Sequence, residues 1–217
     1  MNQFQASYMG NLQWFQENTH DVNATDEWKQ TTLMHAASNG HLELCTYLLS
    51  KGAPVNAQDD AGWAAIIHAI FRGHTHICSL LISHGASVNI RANNLMSALM
   101  YAAVEGRKDI TRLLLSKGAS TDTMCESQYT ALAYAINRCH RDICALLLSY
   151  GASTSAGRIK TVMEIDLLDN LGAMQELINT FIQTPRTLKY YVLKLQPHTN
   201  YKLLLTRNTY EREVAAF

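Results

Sequence analysis

His74, His76 and Cys78 lie within five consecutive residues. On a helix, His74 and Cys78 at i and i+4 would share a face, as two zinc ligands can. Cys139 is followed directly by His140, a thiol next to a base, which is the beginning of a nucleophilic site. His35 and His68 could titrate near neutral pH. None of these groups is complete. No C-x-x-C or H-E-x-x-H motif supplies further metal ligands, and Cys139 lacks a visible third residue to orient His140. Gly-rich phosphate loops, a G-x-S-x-G elbow and kinase motifs are also missing from the sequence. The expectation is a chain with no catalytic residue, no metal ligand and no cofactor.

Periodicity gives the same residues a plainer role. Gly52-Ala53, Gly85-Ala86, Gly118-Ala119 and Gly151-Ala152 follow one another at intervals of 33 residues. Leu33, Ile66, Leu99 and Leu132 keep that interval, as do Gly40, Gly73, Gly106 and, in the fourth place, Cys139. Cys45, Cys78 and Cys144 share one slot, with Thr111 third, and His35, His68, Tyr101 and Tyr134 share another. A repeated slot is structural before it is chemical.

A unit of about 33 residues built from a turn and two helices is characteristic of ankyrin repeats. The stretch Thr31-Thr32-Leu33-Met34-His35-Ala36-Ala37-Ser38-Asn39-Gly40-His41 resembles that family's Thr-Pro-Leu-His-x-Ala-Ala-x-x-Gly-His core. The resemblance runs from about Tyr8 to about Pro185. It implies an all-α fold, a solenoid of stacked helix-turn-helix units with projecting hairpin loops and a short C-terminal extension. It also implies that His41, His74 and His140 serve the turn between helices, while Met34, Ile67, Met100 and Ala133 fill the slot in which the family usually carries His.

The expected organisation is an N-terminal capping half-repeat over 1–25, four repeats over 26–157, a degenerate fifth over 158–185 and an extension over 186–217. The first unit is three residues short: Gly10 and Gly40 are 30 apart, whereas Val22 and Val55 are 33 apart. End units are expected to diverge, since each presents one face to solvent. Thr31, Ser97 and Thr130 can cap the first helix of their repeats, but Ala64 cannot, a deficit of about 1 kcal/mol. Gly40, Gly73 and Gly106 suit a left-handed helix end, and Cys139 implies local strain, a displaced helix end or a reactive thiol. In the extension, Leu188, Tyr191, Val192 and Leu195 favour helices, and a hairpin through Pro197-His198-Thr199-Asn200 is the other arrangement open to it.

Eighteen basic residues balance eighteen acidic ones, which argues against a nucleic-acid or anionic-membrane role requiring a basic excess. The first residues have no basic and apolar leader pattern, and no apolar run approaches the ~20 residues of a membrane span. The chain is therefore expected to be soluble, cytoplasmic and monomeric, with Cys45, Cys78 and Cys144 buried and reduced.

What the resemblance implies about function is recognition of a protein partner by the concave face, through variable hairpin slots and the end of the first helix in each repeat. Those slots hold Trp28, Trp63, Met96 and Tyr129 in the hairpins, and Phe71, Arg72, Glu105 and Arg138 at the helix ends, with Tyr150 near the rim of the second helices. Trp63, Phe71 and Arg72 form the expected centre, because Trp, Tyr and Arg dominate interface energetics. Packing between repeats is not expected to demand Trp63, although each aromatic could fold back on a neighbouring hairpin. Two further readings stand beside this one. The chain could be the targeting part of a larger regulator or of a host-directed bacterial effector acting in the host cytosol, or a thiol enzyme using Cys139 and His140.

Overall fold

The computed structural model describes residues 1–156; the expectations for 158–185 and 186–217 fall outside them. Ten helices are present among the described residues: α1 Gln3–Tyr8, α2 Leu12–Glu17, α3 Thr32–Ser38, α4 Leu42–Ser50, α5 Ala65–Arg72, α6 Thr75–Ser83, α7 Ala98–Val104, α8 Lys108–Ser116, α9 Ala131–Asn137 and α10 Arg141–Ser149. They form antiparallel pairs, and the pairs stack in chain order. One layer holds α1, α3, α5, α7 and α9, and the other holds α2, α4, α6, α8 and α10.

Helices of six to nine residues do not persist alone in water, so burial between neighbours must hold them. Within the inner layer, Leu33, Ile66, Leu99 and Leu132 are almost completely buried between successive repeats, with small Ala36, Ala69, Ala102 and Ala135 allowing close approach. In the outer layer, Leu44, Ile77, Ile110 and Ile143 with Leu48, Leu81, Leu114 and Leu147 do the same. Cys45, Cys78 and Cys144 are buried, and all five cysteines are unpaired.

The capping pattern follows the residue types. Thr31, Ser97 and Thr130 each accept an N–H bond from the third helical residue, whereas Ala64 makes no side-chain cap. Met34 and Met100 add a feature the sequence reading did not anticipate: their sulfurs lie 3.4 Å from the Thr31 and Ser97 amide nitrogens and accept those N–H groups.

The His slot does more than serve its own turn. His41, His74 and His140 bond through Nε2 to the carbonyls of Tyr8, Ser38 and Val104 at 2.8, 3.1 and 3.2 Å. Arg107 does likewise to Phe71 at 2.8 Å. Each reaches back to the helix end of the preceding repeat, so the slot joins repeats. It also fixes the glycine before it. A Cβ at Gly40 or Gly106 would stand 2.8 Å from the ring of His74 or His140, closer than nonbonded carbons tolerate.

Projecting hairpins connect the pairs. Asp60, Asn93 and Glu126 donate their amide N–H groups to the carbonyls of Trp28, Ala61 and Asn94, joining the four hairpin tips in series. On the side of the second helices, Asn56, Asn89 and Asp122 accept the amides of Ser87, Ser120 and Ser153 at 2.8 to 2.9 Å.

Candidate functional site

The hairpins and the ends of the inner helices form one continuous face. At its middle, the Trp63 ring packs against Phe71 at 5.5 Å, His68 at 5.3 Å and Tyr101 at 5.0 Å between centroids. The indole N–H donates to the Tyr101 hydroxyl at 3.0 Å. Trp63 is thus half-buried and bridges the second and third repeats, which corrects the expectation that packing between repeats makes no use of it. A Trp63→Ala change would remove an inter-repeat bond as well as a surface ring. Phe71, by contrast, is 38 % exposed, and Arg72 is exposed beside it.

Beneath the indole lies a buried polar pair. One oxygen of Asp59 accepts the Ala61 and Trp63 amides at 3.0 and 2.8 Å, and the other accepts from His68 at 2.9 Å. The first repeat repeats the arrangement with Asp26 and His35 at 2.8 Å. Where the hairpin slot changes to Ala92 and Cys125, the helix slot changes to Tyr: Tyr101 bonds Asn94 at 3.2 Å, and Tyr134 meets the Cys125 sulfur at 3.3 Å. The ladder of His and Tyr therefore holds hairpins onto helices. Burial pushes the pKa of His68 below its ordinary 6.5, against the opposing pull of Asp59, which favours a neutral ring.

The remaining expected residues spread along the same face. Trp28 is 59 % exposed on the first hairpin. Met96 and Tyr129 are half-buried on the third and fourth hairpins, Tyr129 packing on Tyr134 at 5.2 Å. Glu105 and Arg138 cap the C-terminal ends of α7 and α9. Tyr150 is the exception: it caps α10 in the outer layer, apart from the hairpin and inner-helix face.

Tyr8 and Met9, both exposed, were not among the expected residues. They occupy the helix-end slots that Phe71 and Arg72 fill later. The bond from His41 to Tyr8, matching that from Arg107 to Phe71, establishes the equivalence. The interval of 30 between Gly10 and Gly40 puts Tyr8 and Met9 three residues out of step with the 33-residue register.

The groups considered for chemistry are placed otherwise. Cys78 is fully buried, with its thiol pushed up to about 12 by desolvation, as are Cys45 and Cys144. His74 lies at the N-cap of α6 with its ring committed to Ser38. No group of three or more His, Cys, Asp or Glu that could hold a metal ion occurs among the described residues. Cys139 is exposed at φ 57°, and its helix ends in register with the others, so the local consequence is a strained residue and not a displaced end. His140 beside it is engaged with the Val104 carbonyl.

These features define a class: a helical-repeat solenoid with one ridged face of hairpin tips and helix ends. The family model for ankyrin repeats matches residues 4–92 and 88–157, in three copies, and the chain belongs to the ankyrin repeat family. Among curated proteins, none matches it. Members of this family are generally protein-interaction modules. Among the described residues, no helix is long and apolar enough to cross a membrane.

Proposed function

We propose that this chain is a non-catalytic protein-interaction module that receives a protein partner on its hairpin and inner-helix face, with Trp63, Phe71 and Arg72 at the centre. The observation that carries this reading is where exposed apolar area collects. Tyr8, Met9, Trp28, Phe71, Leu95 and Met124, six of the nine exposed large apolar residues among those described, lie on hairpins or inner-helix ends. Single exposed apolar residues are ordinary, but a row on one face marks an interaction surface. The mechanism is recognition by a preformed surface. The hairpins are tied to one another and to the helices before a partner arrives, so little conformational entropy is lost on binding. Five unpaired cysteines support a reducing, cytoplasmic setting.

Phe71 and Arg72 make the cleaner probe, because Trp63 also joins repeats. A Phe71→Ser/Arg72→Glu variant should retain the helical circular dichroism of the wild type, with a modestly lower unfolding midpoint because Phe71 also packs on Trp63. In affinity capture from lysate followed by titration with the captured partner, it should bind at least about tenfold more weakly. Unchanged affinity would remove this centre from the interface.

A further inference from the structure

At the N-terminal end of the same face, Phe4, Tyr8, Met9 and Trp28 line an open groove of about 840 Å³, bordered by Asp26 and Glu27. Its apolar walls are accessible among the described residues, Tyr8 at 62 % and Met9 at 68 %. Tyr and Trp supply large contact area with few rotors, and Met adapts its shape to what it meets. The groove is thus suited to one bulky apolar side chain.

Charge narrows the occupant. Residues 1–60 hold seven acidic and two basic residues, whereas residues 61–156 hold five acidic and eight basic. The stack is polarised despite its balanced total, and the groove lies in the acidic part. Of the two Lys side chains there, Lys29 is paired with Asp60 at 2.6 Å, and Lys51 caps α4 in the outer layer, 5.4 Å from the Tyr47 ring centre. Glu27 is exposed and makes no ion pair among the described residues. An incoming cation would meet Glu27 and the field of the surrounding carboxylates.

We infer that this groove binds a partner segment that presents a large apolar side chain flanked by Lys or Arg. The inference rests on the interaction-module reading and adds the chemistry of the partner. The apolar side chain packs among Tyr8, Met9 and Trp28, and the flanking cation sits against Glu27.

The test starts from random peptides displayed on phage and selected on the full-length chain. The enriched sequences are then synthesised with fluorescein and titrated by anisotropy. Peptides with an apolar residue beside Lys or Arg should be enriched. A Met9→Gln/Trp28→Ser variant, altered only at exposed positions, should weaken their binding at least about tenfold. Glu27→Lys should weaken it less and flatten its dependence on salt, because a screened attraction has been removed. Methionine-oxidation footprinting of the free chain should show Met9 reacting readily and becoming protected when the selected peptide is added.

Enrichment of acidic peptides would overturn the inference. Protection of Met9 in the free chain would also do so, by showing that the chain's own remaining residues or, if protection rises with protein concentration, a second copy fill the groove. Peptides sensitive to Phe71→Ser/Arg72→Glu but not to Met9→Gln/Trp28→Ser would reject the groove and leave the proposed function standing. An enriched pool sensitive to neither, or no enriched pool, would count against both.

Discussion

Cys139 adopts φ 57° at the position where Gly40, Gly73 and Gly106 adopt 83°, 84° and 68°. A left-handed conformation costs a residue with a Cβ roughly 1 kcal/mol, so Cys139→Gly should raise stability by up to about that amount, read as a higher urea midpoint at unchanged slope. The three glycines carry a second constraint, the following repeat's His or Arg against the site of the missing Cβ. Gly106→Ala should therefore cost more than Gly118→Ala, where a Cβ meets nothing within 4 Å and only the backbone penalty applies. Urea unfolding of the two variants makes the comparison, and His140→Ala should recover part of the Gly106→Ala loss but none of the Gly118→Ala loss. At this scale the caps were legible in the sequence, since a hydroxyl before an apolar helix has one obvious use. The sulfur bonds of Met34 and Met100 were not, because they depend on a side chain folding back over the turn.

Within each repeat, the element that decides the geometry of the binding face is the hairpin, and in the second repeat His68 and Asp59 attach it. In the folded chain the His68 ring faces Asp59, with His35 and Arg72 opposing its protonation and burial doing so most. Its pKa thus lies below the unfolded value of 6.5. As pH falls past 6.5, the unfolded chain takes up a proton that the folded chain resists, and stability decreases; above that pH both rings are neutral and this contribution is fully present. His68→Gln keeps a donor toward Asp59 but does not titrate. Thermal unfolding as a function of pH should show a smaller acid-side loss for His68→Gln than for the wild type, and equal losses would mean that other groups control it. The recurring helix slot was visible as a ladder of His and Tyr. Its pairing with the hairpin slot, Asp with His and Ala or Cys with Tyr, needed the fold, because eight residues of turn and helix start separate the two.

For the molecule as a whole, the interval of 33 was legible because stacking places equivalent residues in equivalent contacts, and selection on one interface is selection on all. The same regularity concealed the N-terminal groove. Three residues missing from the first unit shift Tyr8 and Met9 out of phase with Phe71 and Arg72, and the charge polarity vanishes in a balanced total. Contacts limited to adjacent repeats also mean that stability is a sum of local terms, with end units opening before central ones. The first unit has two six-residue helices anchored by few buried residues, chiefly Ala6, Ser7 and Phe15. Phe15 packs edge-on to Trp14 at 5.1 Å and His20 at 4.9 Å, and its carbonyl accepts the Tyr47 hydroxyl at 3.1 Å. Truncating a buried Phe to Ala costs about 3–5 kcal/mol, enough to open an end unit while the repeats beyond it stay folded. Phe15→Ala should therefore abolish hydrogen-exchange protection over 3–17 and leave α5 to α8 protected as in the wild type. Loss of protection throughout would show a single cooperative block. With the local outcome, binding that depends on Trp28 should fall while binding that depends on Phe71 and Arg72 survives, since Tyr8 and Met9 would leave the face and Phe71 would not.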